Sequence, residues 1–423
     1  MAKLALSGGE PIRDLKKNPY PSYPKITEEE IEAVVEVMKS GHLSSLRGEY
    51  TRRFEEEFAK YIGVNYAIAC SSGSAALHLA LAAVGVGPGD EVIVPAYTFT
   101  STATAVLMQC AVPIFADVNP ETYTIDVEDL EKKISDKTKA IIVVHLFGHP
   151  CEMDEIMRIA EEHGLYIIED CAQAHGAEYK GRKVGSIGNV GCFSFYESKN
   201  MMTGEGGMVV TNDPEIAERA RMLCNHGEIR GLLDFLKKKP ISEAYNMLGW
   251  NYRMTELQAA IGLVQLKKLD RMNEIRRRNA EMLIKVFEKY DCLEAPKVRP
   301  YVKHAWHLFC GKYFEEKTGI SRELFVKALQ TEGVPAYIGY KEPLYANPLY
   351  RHKLARGKGC PFTCLFYGKE VKYSDGLCPV TEELCYKRAL WLPCHSELRK
   401  EDIEDIRKGI EKVVSNINEL KNI

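Results

Sequence analysis

The sequence has 423 residues, of which 45% are hydrophobic and 27% are charged, and this is ordinary usage for a globular protein. At about 150 residues per domain, the length predicts two or three domains, or one large domain and a smaller one. The 56 Lys and Arg residues nearly balance the 59 Asp and Glu residues, so the net charge is −3. That balance excludes a strongly basic protein that binds nucleic acid or an anionic membrane by charge, and it also excludes a disordered acidic chain.

The N-terminal residues are polar and contain no apolar segment of the kind found in a signal peptide. The longest apolar runs, such as residues 140–144, are much shorter than a membrane span. We therefore predict a cytoplasmic protein with no membrane partner. Its 13 cysteines are an odd number, which fits reduced thiols in the cytosol.

Helices and strands alternate through the first half of the chain. Thr27 and Glu30 have the spacing of a capping box, and a helical apolar pattern follows from Ile31 to Met38 and ends at Gly41. Further helices are predicted at 50–61 and 75–83. Short apolar runs that predict strands lie at 66–70, 91–94, 112–115, 140–144, 165–168, 190–195 and 208–211. Apolar runs that alternate with helices predict a parallel sheet covered on both faces.

The pattern changes after residue 250. One long helical pattern covers 254–290, with a possible break near Asp270 or Asn273, and its length suits a connector between domains. A strand at 305–313 and helices at 322–331 and 400–416 follow. Two segments are predicted as loops, a potential lid at 227–242 and a Gly/Cys/Pro-rich stretch at 356–378. We therefore predict a large domain at 1–250, a connecting helix at 251–290 and a small α+β domain at 291–423.

The first candidate site is the turn Ser71-Ser72-Gly73-Ser74, which leads from a predicted strand into a helix. Backbone N–H groups at a helix N-terminus, with hydroxyls beside them, favour an anion such as a phosphate. An ordinary serine cap of the helix explains the same residues.

The second candidate is Asp170, one of two acids that end a buried strand. In open α/β sheets, ligands bind at the carboxyl ends of the strands. A carboxylate that caps the next helix is an equally good explanation.

The third candidate is Lys199, which follows the apolar run 190–195 among small residues. Burial lowers the pKa of a lysine and frees its amine as a nucleophile towards an aldehyde, although most lysines in loops are simply solvated. A lysine, a carboxylate and an anion site are the three groups that pyridoxal phosphate requires for its imine, its pyridinium nitrogen and its phosphate.

Six motifs in this order resemble the DegT/DnrJ/StrS family of fold-type I pyridoxal-phosphate aminotransferases. The motifs are residues 73–81, 89–95, 169–174, 193–195 with Lys199, 204–207 and 251–260, and the resemblance extends from about residue 19 to 416. It implies an α/β fold with a mostly parallel seven-stranded sheet covered by helices, and a smaller α+β C-terminal domain.

The resemblance also implies a role for each matching residue. Lys199 matches the lysine that forms the Schiff base and moves the proton, and Asp170 matches the partner of the pyridinium nitrogen. Gln173 matches the residue beside the phenolic oxygen, and Phe99 matches the aromatic ring that stacks on the cofactor, although a core Phe is the alternative. The phosphate cradle corresponds to Gly73, Ser74 and Ser194.

Other positions imply a homodimer with shared active sites, because Asn251 matches a residue that the neighbouring subunit gives to the phosphate. Arg253 is a candidate for the carboxylate of the amino donor, or for a structural ion pair. His307, in the stretch 304–307, and Tyr340 are candidates for the substrate side of the pocket. A core strand that contains Trp306 is the plainer explanation of the stretch 304–307.

The cysteines between Cys360 and Cys394, with His352 and His395 nearby, raise the question of a metal site. Their spacing lacks the pairs separated by two residues that zinc sites use. We predict no metal.

The function implied by the resemblance is transfer of an amino group from glutamine or glutamate to a keto group, with pyridoxamine phosphate as the intermediate form of the cofactor. Residues 144–148, 169–176 and 339–345 are most similar to the glutamine:scyllo-inosose branch, which aminates a ketocyclitol. The alternative acceptor is a nucleotide-linked keto-sugar. A dehydratase of the same family is a further alternative, but it would have His in place of Lys199. The remaining alternative is a regulator that binds the cofactor without turnover, and we find no DNA-binding signal for it.

Overall fold

The computed structural model describes residues 3–228 and 247–422, so most of the lid predicted at 227–242 lies outside the described residues. Twelve α-helices are present in the described ranges. They are α1 Glu28–Ser40, α2 Tyr50–Ile62, α3 Gly73–Ala83, α4 Ser101–Met108, α5 Val127–Lys132, α6 Met153–His163, α7 Pro214–Cys224, α8 Glu256–Phe287, α9 Arg322–Thr331, α10 Pro348–Arg351, α11 Pro379–Glu383 and α12 Lys400–Ser415.

The strands form one large sheet and two small ones. They are β1 Tyr66–Cys70, β2 Glu91–Pro95, β3 Val112–Ala116, β4 Thr138–Val144, β5 Tyr166–Asp170, β6 Glu178–Tyr179, β7 Arg182–Lys183, β8 Val190–Ser194, β9 Gly207–Thr211, β10 Leu293–Glu294, β11 Val302–Lys303, β12 Phe309–Tyr313 and β13 Ala389–Leu392. The large sheet has seven strands in the order β1-β9-β8-β5-β4-β2-β3. Only β9 runs antiparallel to its neighbours, so the predicted mostly parallel seven-stranded sheet is confirmed.

The central strands of this sheet are buried on both faces. Strands β2 and β8 have no exposed or half-buried residue, as expected for parallel strands that helices cover on both sides. One core cluster packs α3, α4 and α7 against one face. A second cluster brings α2 and the first turns of α8 to the other face. This layering places the carboxyl ends of several strands at one edge, where the loops are free to carry side chains that bind a ligand.

The predicted long helix is present as α8, and it is continuous where the sequence suggested a break. A capping box between Thr255 and Gln258 begins the helix, which then runs for 32 residues. Asn273 does not interrupt it, because its side chain hydrogen-bonds other segments: Nδ2 donates to the carbonyl of His175 at 2.7 Å. The helix has contacts with α1, α2, α12 and β12.

The predicted strand at 305–313 is shorter than expected. Only Phe309–Tyr313 forms β12, which pairs with β10 and β13 in a three-stranded antiparallel sheet. The preceding residues form a turn in which Trp306 has a φ of +50°, a left-handed conformation that cannot continue a strand. Trp306 is nevertheless buried, and its ring stacks on His304 at 3.9 Å.

Side chains from different predicted domains pack against one another. The division of the chain at residues 250 and 290 stays a prediction. The N-terminal Leu4 belongs to the core cluster of β12, β13, α9 and α12. Near it, Arg13 is ion-paired with Asp402 of α12 at 2.8 Å. In the opposite sense, Phe362, Tyr367 and Tyr373, from the segment without periodicity, pack on the core of the large sheet.

The apolar side of α1 is exposed in the single chain. Ile31, Val35 and Met38 are 48%, 41% and 56% exposed, and they share one face because they are four and three residues apart. The side that faces α8 instead carries Glu30 and Val37. In addition, no helix in the described residues is both long and apolar enough to cross a bilayer.

Candidate active site

A cavity of about 560 Å³ opens at the carboxyl edge of the large sheet. The ends of β2, β4, β5 and β8 meet there with the N-terminus of α3. Its lining residues are Ser72, Gly73, Ser74, Leu77, Thr98, Phe99, Ser101, Thr102, Val144, Asp170, Ala172, Gln173, Cys192, Ser194, Tyr196, Ser198, Lys199, Glu205, Tyr340 and Trp391. Eight of the predicted site residues are therefore brought together: Lys199, Asp170, Gln173, Phe99, Gly73, Ser74, Ser194 and Tyr340.

The N-terminus of α3 forms one end of the cavity. Ser72 caps this helix, and its hydroxyl accepts from the N–H of Ala75 at 3.1 Å. The Ser74 hydroxyl lies 2.7 Å from that of Ser101. A Cβ on Gly73 would come within 2.6 Å of the Cβ of Ser194. Because free N–H groups and hydroxyls meet here with no side chain on residue 73, the end is suited to a phosphate.

Asp170 ends β5 deep in the cavity and is 5% exposed. Its Oδ1 accepts from the N–H of Ala172 at 3.1 Å, and its Oδ2 accepts from the hydroxyl of Thr102 at 3.0 Å. Burial raises the pKa of this carboxyl, while the two hydrogen bonds and the charge of Lys199 oppose the rise. A cationic ring nitrogen placed against the carboxylate would stabilise its charged form.

The neighbouring acid, Glu169, points to the other face of the sheet and has a structural role. It accepts from His145 Nε2 at 2.9 Å and from the N–H groups of Gly185, Ile187 and Gly188 at 2.6–2.8 Å. Burial alone would raise its pKa, but these hydrogen bonds hold the pKa below its usual value. The pair ties the loop before β8 to β4 and β5, and so supports the strands that carry Asp170 and Ser194.

Gln173 follows Asp170 in the turn after β5. Its Oε1 accepts from the N–H of Phe147 at 2.8 Å, and a backbone N–H can only donate, so the amide orientation is determined. Its Nε2 is therefore the donor end of the amide, and both Gln173 and Tyr340 line the cavity. Gln173 thus presents a donor to the cavity, as a phenolate oxygen would require.

Aromatic rings form two walls of the cavity. Phe99 is 57% exposed although it lies in the cavity, which is an open ring face on which a planar ligand can stack. On the other side, Tyr340 packs against Tyr97 at 5.3 Å and against Trp391 at 4.9 Å. Phe147 completes this group at 5.2 Å from Trp391.

Lys199 lies in the loop after β8, and its backbone is held on both sides. Its N–H donates to the carbonyl of Tyr196 at 2.9 Å, and its carbonyl accepts from the hydroxyl of Tyr23. Burial lowers the pKa of the amine, and the charge of Asp170 opposes that change. A larger fraction of the amine is therefore neutral and nucleophilic than in a solvated lysine.

Three predicted site residues lie outside this cavity in the single chain. Asn251 is exposed and bridges to Asn225. Arg253 donates to Asn225 Oδ1 at 2.6 Å and lines a separate cavity of about 230 Å³. His307 is half-buried and does not line the cavity, and its Nδ1 is 3.2 Å from Oδ1 of Asn200, the residue that follows Lys199.

The described residues contain one group with the spacing of metal ligands, formed by the buried side chains of His145, Glu169 and Cys171. The hydrogen bonds of Glu169 and His145 already occupy this group, because His145 Nδ1 also accepts from the N–H of Cys151 at 3.0 Å. Within the same residues, the cysteines of 360–394 do not converge on such a group. All 13 cysteines are free thiols.

The sequence did not identify Thr102, Ser101 or Trp391 as site residues. Thr102 and Ser101 begin α4 just after Phe99, so their nearness to the aromatic candidate was the only available signal. Trp391 belongs to β13, which contacts the cavity across more than 190 residues of sequence from Lys199. Such a long-range contact has no local pattern.

These residues fit pyridoxal 5′-phosphate. At Gly73 the cavity has space for a phosphate, and a Cβ at this position would reduce that space. Asp170 is a buried carboxylate whose pKa burial raises, so it is suited to a cationic partner. Phe99 offers an open ring face. Lys199 lines the same cavity, where its amine would be available to the aldehyde of the cofactor.

Known proteins resemble this chain over almost its whole length. It is 38% identical over 340 residues to the GDP-perosamine synthase of Escherichia coli O157:H7, covering 79% of this chain and 89% of that protein. It is 34% identical over 433 residues to the L-glutamine:2-deoxy-scyllo-inosose aminotransferase of Streptoalloteichus tenebrarius, covering 99% of both. The X-ray structure of the aminotransferase from Psychrobacter cryohalolentis superposes with a TM-score of 0.86 at 33% identity, covering 95% of this chain and 100% of that one.

The model of the DegT/DnrJ/EryC1/StrS aminotransferase family matches residues 24–411. Enzymes of this family depend on pyridoxal phosphate and pass through its pyridoxamine form. Both the motifs and the geometry of the cavity agree with that match. This chain therefore belongs to the DegT/DnrJ/EryC1/StrS family of pyridoxal-phosphate-dependent sugar and cyclitol aminotransferases.

Proposed function

We propose that this aminotransferase moves an amino group from glutamine or glutamate to the keto carbon of a cyclitol related to scyllo-inosose. The observation that carries this proposal is the chemistry of the cavity wall. Of the described residues that line the cavity, Lys199 alone is basic, whereas serine, threonine, tyrosine and glutamine side chains are numerous. The cofactor phosphate would occupy the N–H groups and hydroxyls at the start of α3, so a nucleoside diphosphate would need further cationic or N–H donors for its own phosphates, whereas an uncharged polyol needs none.

Each site residue has a proposed task. When bound, pyridoxal phosphate supplies an electron sink for the carbanion that forms during amino transfer. Asp170 would hold the proton on the ring nitrogen, Gln173 would donate to the phenolic oxygen, and Phe99 would cover one ring face. Ser74 and Ser194, with the N–H groups beside Gly73, would bind the phosphate.

Lys199 is the proposed base and acid of the reaction. Its amine, which burial shifts towards the neutral form, would take a proton from the amino donor at its α-carbon and return it in the second half-reaction. Both half-reactions need a single group that gains and loses a proton near neutral pH. Tyr340, in the cavity wall, and His307, which hydrogen-bonds the Asn200 that follows Lys199, are proposed to orient the keto acceptor.

Asn251 and Arg253 suit a composite site. Both lie outside the cavity of their own chain, so they can take part only if a second subunit presents them. The exposed apolar face of α1 supports a homodimer, because large apolar groups at such a position favour association. In this proposal Asn251 serves the partner's phosphate site and Arg253 binds the donor carboxylate. The cytoplasmic location expected from the sequence remains a prediction.

A nucleotide-linked keto-sugar is the second candidate acceptor, and the identity to a GDP-perosamine synthase favours it. In that case, the phosphates of the nucleotide would need cations from a partner subunit. The cyclitol is preferred because the inosose aminotransferase matches 99% of both chains.

The experiment that tests the proposed function is a screen of acceptors by mass spectrometry. Purified holoenzyme is incubated with glutamine, glutamate or alanine as donor, and with scyllo-inosose, 2-deoxy-scyllo-inosose or a GDP- or dTDP-linked 4-keto-hexose as acceptor. We expect the amine product from an inosose with glutamine or glutamate. Amination of the nucleotide-linked sugar alone would reject the cyclitol in favour of the second candidate.

A further inference from the structure

Tyr23 connects the N-terminal segment to the residue that is proposed to bond the cofactor. Its hydroxyl donates to the main-chain carbonyl of Lys199, which lies 176 residues further along the chain. Within residues 3–228 and 247–422, this is the one hydrogen bond that the carbonyl accepts. The N–H of Lys199 donates to the nearby carbonyl of Tyr196 at 2.9 Å. The main chain of Lys199 is therefore held by one local contact and by one contact from a distant segment.

The ring of Tyr23 packs against a buried cation. Arg276 of α8 is 1% exposed, and its guanidinium carbon lies 5.0 Å from the centre of the Tyr23 ring. Its Nη1 donates to the carbonyls of Trp306 and His307 at 3.3 Å, whereas Nε and Nη2 have no hydrogen-bond partner among the described residues. Because no carboxylate accepts from this guanidinium, the face of the Tyr23 ring is a favourable neighbour for its charge.

The other neighbour of the Tyr23 ring is uncharged. The ring of His395 lies 5.1 Å away at an angle of 33°. Burial and the charge of Arg276 lower the pKa of His395 to about 4, so this imidazole is neutral at physiological pH. Packing between Arg276 and His395 determines the position of the Tyr23 ring, and with it the direction of the hydroxyl towards Lys199.

The residue after Lys199 is held by the same face of α8. Nδ2 of Asn200 donates to Oδ1 of Asn273 at 2.9 Å. Asn273 and Arg276 are three residues apart in the helix, so their side chains lie on one face. The helix therefore holds this stretch of main chain at two points. Asn273 holds residue 200, and Arg276 holds residue 199 through the ring of Tyr23.

We infer that Tyr23 is a positioning residue for Lys199, because its hydroxyl holds the peptide group beside the Cα that carries the lysine side chain. The inference rests on the proposed function, in which Lys199 bonds the cofactor and moves the proton. Tyr23 does not line the cavity, so it acts only by directing the amine of Lys199 towards the reacting atoms. An error of about 1 Å in the placement of a reacting group can slow a reaction about 100-fold.

The test measures how fast Lys199 reacts with the cofactor. Apoprotein is mixed with excess pyridoxal phosphate in a stopped-flow instrument, and the limiting rate constant of imine formation is read from the yellow absorbance. We expect Tyr23→Phe, which lacks only the hydroxyl, to lower this rate constant by about tenfold. The Kd of pyridoxamine phosphate should stay close to the wild-type value, because this form fills the site but has no aldehyde for Lys199.

Tyr61→Phe is the matched control, because the hydroxyl of Tyr61 also bonds α8, donating to Asp270 Oδ1 at 2.7 Å. We expect wild-type values from it in both measurements. An unchanged rate constant in Tyr23→Phe, or an equal loss of affinity for pyridoxamine phosphate, would overturn the inference alone. An imine formed in Lys199→Ala would overturn the proposed function and the inference with it. Neither measurement contains an amino donor or acceptor, so the choice of substrate does not affect the result.

A second pair of variants separates the hydroxyl from the ring. Tyr23→Phe keeps the ring beside Arg276, so we expect its Tm, measured by circular dichroism, to stay close to that of the wild type. Tyr23→Leu removes the ring as well, so we expect both slower imine formation and a lower Tm, because the buried charge loses its aromatic neighbour. A decrease in Tm that is as large in Tyr23→Phe as in Tyr23→Leu would contradict the inference, since the hydroxyl would then act on stability.

Discussion

Asp170 is the residue whose surroundings define its proposed task most closely. It is buried, it is held by Thr102 and the N–H of Ala172, and burial raises its pKa. Asp170→Asn keeps the shape but removes the charge that would stabilise a protonated ring nitrogen. Loss of a preorganised electrostatic partner of this kind predicts a decrease in kcat of at least about 100-fold. Stopped-flow measurement of each half-reaction checks this, and a kcat within twofold of wild type would contradict it.

Gly73 is the residue that leaves space for the phosphate. A Cβ at this position would come within 2.6 Å of Ser194, so Gly73→Ala must displace one wall of the cradle. We expect the Kd for pyridoxal phosphate, measured by fluorescence titration, to rise by about tenfold or more, since even one lost charge-assisted hydrogen bond has that effect. Gly87→Ala is the matched control, because its added Cβ meets no atom within 4 Å. Equal affinity in both variants would contradict the role of Gly73.

Among single residues, the sequence predicted those site residues that neighbouring sequence identifies. Asp170 ends an apolar run, and Lys199 follows another, so both could be identified from strand ends. The hydrogen bond between Asn200, which follows Lys199, and Asn273 could not be predicted, because the two residues are 73 residues apart. Nor could the sequence tell that Glu169 and its neighbour Asp170 have different tasks, since alternation along β5 decides which face each side chain occupies.

The contact between α1 and α8 depends on one buried carboxylate. Glu30 is 1% exposed, and it accepts from Gln265 at 2.7 Å and from Lys268 at 2.8 Å. Burial alone would raise its pKa, but the hydrogen bonds from Lys268, Thr27 and Gln265 bring the pKa to about 2, from an ordinary value of 4.5. Its contribution to stability is therefore complete above pH 4.5 and is lost as the pH falls towards 2.

Glu30→Gln should lower the free energy of unfolding by about 2 kcal/mol at pH 7, as expected for lost hydrogen bonds to a charged group. The difference from wild type should shrink as the pH falls below 4.5. Urea unfolding at several pH values measures both. Glu29→Gln is the control, because Glu29 also pairs with Lys268 but is 69% exposed, so we expect less than about 0.5 kcal/mol. A difference that does not change with pH would contradict the account of Glu30.

At the scale of helices and strands, hydrophobic periodicity predicted the elements that have a repeating pattern. It did not predict features that depend on contacts between distant parts of the chain. The pattern of α8 was visible from residue 254 onwards, whereas its continuity through Asn273 follows from a side chain that bonds outside the helix. The loop at 305–308 has apolar residues and resembles a strand. It turns instead because Trp306 packs on His304 and the N–H of Ala305 donates to the carbonyl of Gly148.

For the whole molecule, the proposed composite site makes a prediction about mixed dimers. Lys199→Ala and Asn251→Asp should each be nearly inactive alone, the first without its amine and the second with a charge that repels phosphate. In a dimer containing one subunit of each, one site combines the intact Lys199 with the intact Asn251 of its partner. Random mixing after mild denaturation should restore roughly a quarter of wild-type activity, because half of the dimers are mixed and each has one intact site.

The control for this experiment mixes Lys199→Ala with Asp170→Asn. Both changes affect the same chain's cavity, so every site in the mixed dimer keeps one defect and no activity should return. Full complementation in the control, or none in the first pair, would contradict a site shared in this way. Size-exclusion chromatography with light scattering measures the dimer itself.

Composition and periodicity predicted the large-scale architecture of a mostly parallel sheet covered by helices. They could not predict that Phe362, Tyr367 and Tyr373 of the segment 356–378 pack on this sheet, because that segment has no repeating pattern. Nor did they indicate that the N-terminal residues pack against α12, a contact that Arg13 and Asp402 make across 389 residues. Contacts between distant parts of the chain depend on the complete fold.

The central claim is that Lys199 is the residue that bonds the cofactor. Borohydride reduction of the holoenzyme, followed by proteolysis and mass spectrometry of the peptides, tests it directly. We predict one phosphopyridoxyl group per chain, attached to the peptide that contains Lys199, and none in Lys199→Ala. Attachment to another lysine in the wild-type protein would contradict the account.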